Sequence, residues 1–181
     1  MNSEIAERYG QGLFELALEE NTVKEKKEQI EEILNLMDSN PDIALFFRAV
    51  KISKEEKKTF IDDTFGKIAD HDVVNFMKLI IDKGRAFWMK DILKEYVKLA
   101  DDNLGIVKGT VISARPLSEE DLDRIKEALE QNSRKTVILK NHIDPSVIAG
   151  IKVIVGSRVT DITMKTKIED MREALLKGGQ A

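Results

Sequence analysis

The chain has 181 residues, of which 42% are hydrophobic and 34% are charged, so it is too rich in apolar side chains to be disordered and can bury one good core or two small ones. Its formal net charge of −4 and its pI of about 5.4 argue against a nucleic-acid-binding protein, which usually carries a basic face. The lack of cysteine excludes disulfides, thiolate nucleophiles and zinc–thiolate sites, and it fits a reducing cytoplasm.

Nothing in the sequence predicts direct insertion into a membrane. The N-terminal segment MNSEIAERYG is polar and lacks the apolar core of a signal peptide. The longest apolar candidate, VVNFMKLII from Val73, falls short of the roughly 20 residues of a membrane helix, and Lys78 interrupts it. We therefore expect a soluble chain, which could still join a membrane complex through its partners.

Over roughly the first 104 residues the apolar side chains recur at helical spacing. Breaks in the pattern predict new helices at Thr22, Pro41, Ser53 and Asp70 and after Gly84. Thr22 with Glu25 and Ser53 with Glu56 have the spacing of capping boxes. Asp70 is suited to cap the fifth helix. The sequence therefore predicts a helical bundle over residues 1–105.

The pattern changes at Gly105, where β-branched residues and alternation begin. Strands are predicted at Ile106–Ala114, Thr136–Ile143, Val147–Val155 and Val159–Ile162, with a hairpin turn at Gly156-Ser157. An amphipathic helix capped by Ser118 with Asp121 lies between the first two strands, and a final helix follows the last. The fold class is therefore α+β, mostly α: the bundle is followed by a small α/β domain over residues 106–181 with a short sheet and two helices.

The sequence gives little support to a catalytic interpretation. His142 lies near Asp144, so a catalytic dyad is conceivable, but no nucleophile motif accompanies it and a side chain at a strand edge is the simpler interpretation. His71 would need further ligands to hold a metal, and a solvated turn explains it as well. The glycines of YGQGLFE lie inside a helical pattern and not after a strand, which excludes a phosphate loop. We therefore predict no catalytic residue, no cofactor and no metal site.

Two glycines inside the first predicted helix are an anomaly. Gly10 and Gly12 each cost about 1 kcal/mol of helix stability relative to alanine, and with Ala6 they leave part of the helix surface very small. One explanation is close packing against a neighbouring helix of the same bundle. The other is a groove in which the helix of a partner lies close to this backbone. The sequence leaves both explanations open.

Four segments of the chain resemble one family. IAERYGQGLFELALEE, FMKLIIDKGR, VISARPLSEEDL and VILKNHIDPSVIAGIKVIVG look like the δ subunit of bacterial rotary ATP synthase, whose mitochondrial counterpart is the oligomycin-sensitivity-conferring protein. The resemblance covers essentially the whole chain, and Asp144–Gly156 is its most specific part. The chain departs from the family pattern at Gly10 and Gly12, where alanines are usual. It also departs at Ile154, where a polar or basic residue is usual, and at Ser157, where an acid is common.

The resemblance implies a non-catalytic stator subunit of the proton-translocating rotary ATP synthase. Such a subunit belongs to the peripheral stalk, links the catalytic head to the membrane sector and holds the head against rotor torque during ATP synthesis. The resemblance also implies an N-terminal six-helix bundle that receives the N-terminal helix of an α subunit between its first and fifth helices. The C-terminal domain is implied to bind the C-terminus of the b subunit. The expected location is peripheral, at the cytoplasmic face of the cell membrane, through the complex.

Carried onto this sequence, the resemblance assigns seven residues to the α-subunit groove. They are Tyr9, Gly10 and Leu13 on the first helix and Asn75, Lys78, Leu79 and Asp82 on the fifth. A large side chain at Gly10 is then expected to weaken binding without unfolding the bundle. The surface for the b subunit is expected on the Val147–Val155 strand and the final helix.

Two other interpretations of the chain stay open. One is a soluble helical adaptor in an unrelated complex. The other is a hydrolase that uses His142 and Asp144.

Overall fold

A computed structural model describes residues 2–133, 135–147, 150–155 and 158–161. The chain divides into two compact units, Met1–Leu104 and Gly105–Ala181. The described residues of the first unit are helical, and those of the second form a four-stranded sheet with a helix. The predicted α+β, mostly helical class is confirmed.

The helices of the first unit follow the breaks in the sequence pattern. They are α1 (Asn2–Glu19), α2 (Val23–Ser39), α3 (Pro41–Arg48), α4 (Lys54–Phe65), α5 (His71–Asp82) and α6 (Met89–Asn103), with a 3-10 turn at Ala86–Trp88 before α6. Ser53 caps α4 in a complete capping box with Glu56. Asp70 caps α5 by accepting a 3.0 Å hydrogen bond from the backbone N–H of Val73. Both of these predicted caps are confirmed.

The capping box predicted for Thr22 and Glu25 is wrong. Thr22 precedes α2, but its side chain makes no capping hydrogen bond. Its hydroxyl instead accepts a 2.9 Å hydrogen bond from the ammonium of Lys26, which also lies 2.7 Å from Glu20 and 3.0 Å from Asp72. The Lys26 side chain is only 1% exposed. A buried ammonium needs strong acceptors, and this requirement takes the hydroxyl away from the helix end.

Contacts through α2 and α6 set the order of helices around the core. α6 packs extensively against both α1 and α2, and Tyr96 of α6 donates a 3.2 Å hydrogen bond to the carbonyl of Val23. α2 is joined to the start of α5 by the charges around Lys26 and by Gln29, whose side chain accepts a 3.0 Å hydrogen bond from the Asp70 backbone N–H. α6 therefore lies beside both α1 and α2, and these polar contacts link α2 to the start of α5.

The buried ionisable groups of this core predict a loss of stability at alkaline pH. Burial raises the pKa of Tyr96, with smaller contributions from nearby carboxylates. Burial lowers the pKa of Lys26, but its hydrogen bonds with Glu20 and Asp72, together with the charges of Asp70 and Asp72, outweigh burial, so that the net change is upward. The folded state thus holds both protons more tightly than the unfolded state. At neutral pH both groups are protonated and contribute their full stabilisation to the folded state. As the pH rises above about 10, ionisation of Tyr96 in the unfolded state should lower the free energy of unfolding by up to ~1.4 kcal/mol per pH unit.

Urea unfolding followed by the fluorescence of Trp88 would measure this loss, because Trp88 is the single tryptophan and lies in the first unit. The series would run from about pH 9 to about pH 11.5, on either side of the ordinary tyrosine pKa. Tyr96→Phe keeps the ring and removes the ionisation, so its stability should fall less steeply than that of the wild type. Equal slopes for the two proteins would contradict the role given to Tyr96.

The second unit contains a sheet of strand order β2-β1-β3-β4. Its elements are β1 (Ile106–Ser113), α7 (Glu119–Ser133), β2 (Thr136–Ile143), β3 (Ile151–Val155) and β4 (Arg158–Asp161). β1 and β2 are parallel, whereas β3 pairs antiparallel with both β1 and β4. α7 makes the crossover that parallel neighbours require and packs against β2. The predicted cap of α7 is confirmed, since Ser118 accepts a 3.2 Å hydrogen bond from the Asp121 backbone N–H.

Gly109 allows β1 to lie between its two neighbouring strands. A Cβ at this position would be 2.9 Å from side-chain carbons of both Leu139 and Val155, and 3.1 Å from the carbonyl oxygen of Ile154. A larger residue would therefore push β2 and β3 away from β1 at the centre of the sheet.

β3 begins later than the predicted strand Val147–Val155. Val147 belongs to a turn, in which its backbone N–H donates a 3.1 Å hydrogen bond to the carbonyl of Asp144. The Asp144 carboxylate also accepts a 2.9 Å hydrogen bond from the Ser146 backbone N–H. These local bonds engage the backbone of Ser146 and Val147 in the turn, and the strand starts at Ile151. The predicted hairpin turn at Gly156-Ser157 and the final helix lie outside the described residues.

Candidate helix-docking site

The two glycines of α1 have different surroundings. Gly10 is buried against α6, because a Cβ there would lie 3.1 Å from Cβ of Glu95 and 3.2 Å from the backbone nitrogen of Tyr96. Gly12 is exposed, and a Cβ there would have no heavy atom outside its own stretch of helix within 4 Å. Close packing inside the unit therefore explains Gly10, while Gly12 is a small residue on open surface. This packing opposes the expectation that a large side chain at Gly10 leaves the fold intact.

Phe14 marks the side of α1 that contacts α6. Its ring centre lies 6.4 Å from that of Tyr96 in an edge-to-face arrangement. Gly12 and Leu16 are each two residues from Phe14, which places them about 160° around the helix axis from it. The flank of α1 with Gly12 and Leu16 is therefore turned away from α6.

An apolar stripe follows this flank of α1. Ile5 and Tyr9 are half-buried, Gly12 is exposed, and Leu16 is 40% exposed. They are separated by three or four residues, so they lie one above the other on one side of the helix. We term these four residues the α1 stripe. Leu13, which the sequence assigned to the groove wall, is 1% exposed and lies in the core beneath it.

On α5, three of the four predicted groove residues share an exposed face. Asn75, Leu79 and Asp82 are exposed at intervals of four and three residues, and Leu79 is 44% exposed. We term these three residues the α5 face. Lys78 is half-buried, and its ammonium lies 2.6 Å from the carboxylate of Asp62 on α4. Lys78 is therefore directed toward α4.

The structure thus separates the seven predicted residues into four groups. Tyr9 lies on the α1 stripe, and Gly10 and Leu13 lie in the core behind it. The α5 face holds Asn75, Leu79 and Asp82, and the Asp82 carboxylate pairs with Lys58 of α4. Lys78 lies outside this face and pairs with Asp62 of α4. Within the described residues, α1 packs mainly against α6 and α5 mainly against α4, and extensive contact between α1 and α5 is absent.

Gly12 and Leu16 are the surface residues that sequence reasoning left out of the site. Gly12 and Leu16 follow Ile5 and Tyr9 at intervals of three or four residues, and this helical spacing could have identified them as part of the same face. The difficulty was that Leu13 and Leu16 are three residues apart, so both fit one apolar face. Periodicity cannot tell which of two such leucines is central in the core and which is at its rim.

The candidate catalytic and metal-binding residues of the sequence are His71, His142 and Asp144. His71 and His142 are both exposed. The pKa of Asp144 is lowered by hydrogen bonds from Ser146, and the charge of His142 contributes less. In the described part of the chain, no three histidine or carboxylate side chains are grouped to hold a metal ion. None of the described helices has the length and hydropathy that crossing a bilayer requires.

An exposed apolar flank on a helix, with a small residue at its centre, is typical of a protein-docking subunit. Residues 5–175 match the ATP synthase delta (OSCP) subunit family. The ATP synthase subunit delta of Alkaliphilus oremlandii (strain OhILAs) is 34% identical over 173 residues, which cover 96% of both chains. The subunit delta of Bacillus thuringiensis (strain Al Hakam) is 33% identical over 177 residues, which cover 97% of this chain and 98% of the relative.

A solved structure shares the fold of nearly the whole chain. It is a chain of the Toxoplasma gondii mitochondrial ATP synthase hexamer, determined by cryo-EM, with a TM-score of 0.76 and 17% identity. The similarity covers 94% of this chain and 97% of that one.

The chain therefore belongs to the ATP synthase delta (OSCP) subunit family. It is a structural stator subunit of the ATP synthase and not an enzyme, as the resemblance in its sequence implied. Membership replaces both the unrelated-adaptor and the hydrolase interpretations.

Proposed function

We propose that this subunit joins the catalytic head of the ATP synthase to its peripheral stalk through two docking surfaces, one on each unit. Residues 1–105 act as a six-helix bundle that takes up the N-terminal helix of an α subunit. Residues 106–181 bind the C-terminus of the b subunit. In this role the protein lies at the cytoplasmic face of the cell membrane as part of the complex, without inserting into the bilayer.

The observation that carries the α-subunit site is the exposed α1 stripe on the flank turned away from α6. Gly12 at the middle of the stripe allows an incoming helix to approach the backbone closely, and Tyr9 and Leu16 offer apolar contacts on either side of it. The family resemblance assigns the opposite wall to α5, although extensive contact between α1 and α5 is absent from the described residues. Leu79 then supplies an apolar contact from the opposite wall.

The proposed groove differs from the one expected from sequence alone. We assign its walls to Tyr9, Gly12 and Leu16 on α1 and to Asn75 and Leu79 on α5. Asp82 is at the end of the α5 face, where its carboxylate pairs with Lys58 of α4. Gly10 and Leu13 support the α1 wall from behind, because both are buried. Lys78 fixes α5 against α4 through Asp62.

We place the b-subunit surface on β3 and on the helix that the sequence predicts after residue 161. Ile151, Ile154 and Val155 of β3 are half-buried in the described residues. Ile154 offers a partner an apolar contact where the family usually has a polar or basic side chain. Two separate docking surfaces suit a stator, because the second binding event gains from the effective concentration set by the first, and apolar docking favours slow dissociation under torque.

Isothermal titration of the full chain with two synthetic peptides tests this proposal. One peptide is the N-terminal segment of the α subunit from the same complex, and the other is the C-terminal segment of its b subunit. We expect saturable one-to-one binding of each peptide and no competition between them, whereas scrambled peptides of the same composition should not bind. A folded chain that binds neither peptide would overturn the proposal.

A further inference from the structure

Two connections lie side by side at one end of the first unit. They are the link between α3 and α4 and the link between α5 and α6. The ammonium of Lys54 donates a 2.8 Å hydrogen bond to the carbonyl of Asp82, which joins the start of α4 to the end of α5. The guanidinium carbon of Arg48 lies 4.7 Å from the ring centre of Phe87, which joins the end of α3 to the 3-10 turn.

Large apolar side chains are exposed at this end of the unit. Val50 is 97% exposed, Leu45 is 61% exposed and Phe87 is 47% exposed. Val50 and Leu45 are the two most exposed large hydrophobic residues in the described part of the chain. Single exposed apolar residues are ordinary. Leu45 and Val50 are within three residues of Arg48, which contacts Phe87, so both connections contribute exposed apolar residues at this end of the unit.

Basic side chains accompany these apolar residues. Arg48, Lys51 and Arg85 are exposed, and none of them forms an ion pair with a described carboxylate. The carboxylate of Asp82, which is the nearest acid along the second connection, is already paired with Lys58. The charged side chains of the two connections are therefore basic, although the whole chain has a formal net charge of −4. Glu55 and Glu56 follow at the start of α4, where Glu56 is held in the capping box with Ser53. We term Leu45, Arg48, Val50, Lys51, Arg85 and Phe87 the basic–apolar patch.

We infer that the basic–apolar patch is a second docking surface of the first unit and that it binds an acidic amphipathic helix of another subunit. Leu45 and Arg48 lie one turn apart on α3 and present one apolar and one basic group at that spacing. An amphipathic partner helix repeats its apolar and acidic groups at the same spacing, so the two sets can pair. The contact of Arg48 with the Phe87 ring orients both side chains before binding. Arginine and aromatic residues are the types that most often dominate binding energy at interfaces.

The patch is separate from the groove proposed for the α subunit. Its residues belong to α3 and the two connections, whereas the groove lies on α1 and α5. The inference rests on the proposed function only in that the acidic helix is expected within the ATP synthase. The charge of the patch excludes a basic partner helix, since like charges in contact disfavour binding.

Photo-crosslinking in the assembled enzyme tests the inference. The full chain with p-benzoylphenylalanine at Val50, or at Leu45 as a second position, would be assembled into the ATP synthase and irradiated, and the crosslinked peptide would be identified by mass spectrometry. We expect one segment whose carboxylates recur on a single helical face. Lys67 is the matched control position, because it is exposed and lies beyond the far end of α4, about 18 Å from that helix's start.

Charge reversal adds a quantitative readout. Arg48→Glu should reduce the crosslinking yield at Val50 by about tenfold, whereas Lys67→Glu makes the same charge change away from the patch and should leave the yield unchanged. The inference would be overturned if both patch positions crosslinked to lipid or to a second copy of this chain. It would also be overturned if the crosslinking yield at both positions in an assembled complex were no higher than at Lys67. Failure of the unmodified chain to join the complex would instead overturn the proposed function.

Discussion

Gly10→Leu is expected to destabilise the first unit by about 3 kcal/mol, the upper part of the range for overpacking a filled interior. The reason is the distance to α6, since even a Cβ at this position would lie 3.1 Å from Cβ of Glu95 and 3.2 Å from the backbone nitrogen of Tyr96. The backbone nitrogen cannot rotate away as a side-chain end could, so α1 and α6 must separate. Urea unfolding followed by Trp88 fluorescence measures the loss as a lower midpoint with an unchanged slope.

Gly12→Leu is the matched control for this prediction. It makes the same chemical change two residues further along α1, where no heavy atom outside the local helix lies within 4 Å of the added Cβ. We expect this variant to be as stable as the wild type or more stable by up to about 1 kcal/mol, because leucine has the higher helix propensity. Equal destabilisation by the two substitutions would show that both glycines are buried and would remove Gly12 from the proposed docking surface.

The pair of glycines shows what sequence reasoning can and cannot supply. Helical periodicity locates a residue on a face of its own helix, and it identified both glycines as unusual. It does not identify the helix that covers that face. Packing by α6 covers Gly10 and leaves Gly12 open. Close packing inside the unit therefore explains Gly10, and a partner groove is our proposal for Gly12.

Sequence patterns predicted structure correctly where the interacting residues are close together in the sequence. The capping box of Ser53 with Glu56 and the bounds of β2 were predicted correctly, because caps and alternation depend on residues a few positions apart. The capping box of Thr22 failed because Lys26 recruited its hydroxyl into a cluster of charges completed by α5. Lys78 is excluded from the proposed groove for a similar reason, since its ion-pair partner Asp62 lies on α4. Long-range charge pairs of this kind cannot be found from the spacing of one sequence.

Leu16→Glu is expected to weaken binding of the α-subunit N-terminal peptide by about thirtyfold or more, the loss that corresponds to removing a contact of ~2 kcal/mol at the centre of an interface. Leu16 belongs to the α1 stripe and is already 40% exposed. The substitution should therefore place a charge against the apolar face of the incoming helix and leave the fold of the unit intact. Isothermal titration of the full-length variant measures the change in affinity.

Leu18→Glu is a close control, because Leu18 is 41% exposed and lies on the same helix. Two residues separate it from Leu16, so it projects about 160° away, on the flank of α1 opposite the stripe. The α1-stripe assignment requires a large loss for Leu16→Glu and little change for Leu18→Glu, with Leu79→Glu on α5 reproducing the loss from the other wall. The reverse result for the two leucines would move the docking site to the flank beside α6, and a loss at Leu16 without one at Leu79 would exclude α5 as the second wall.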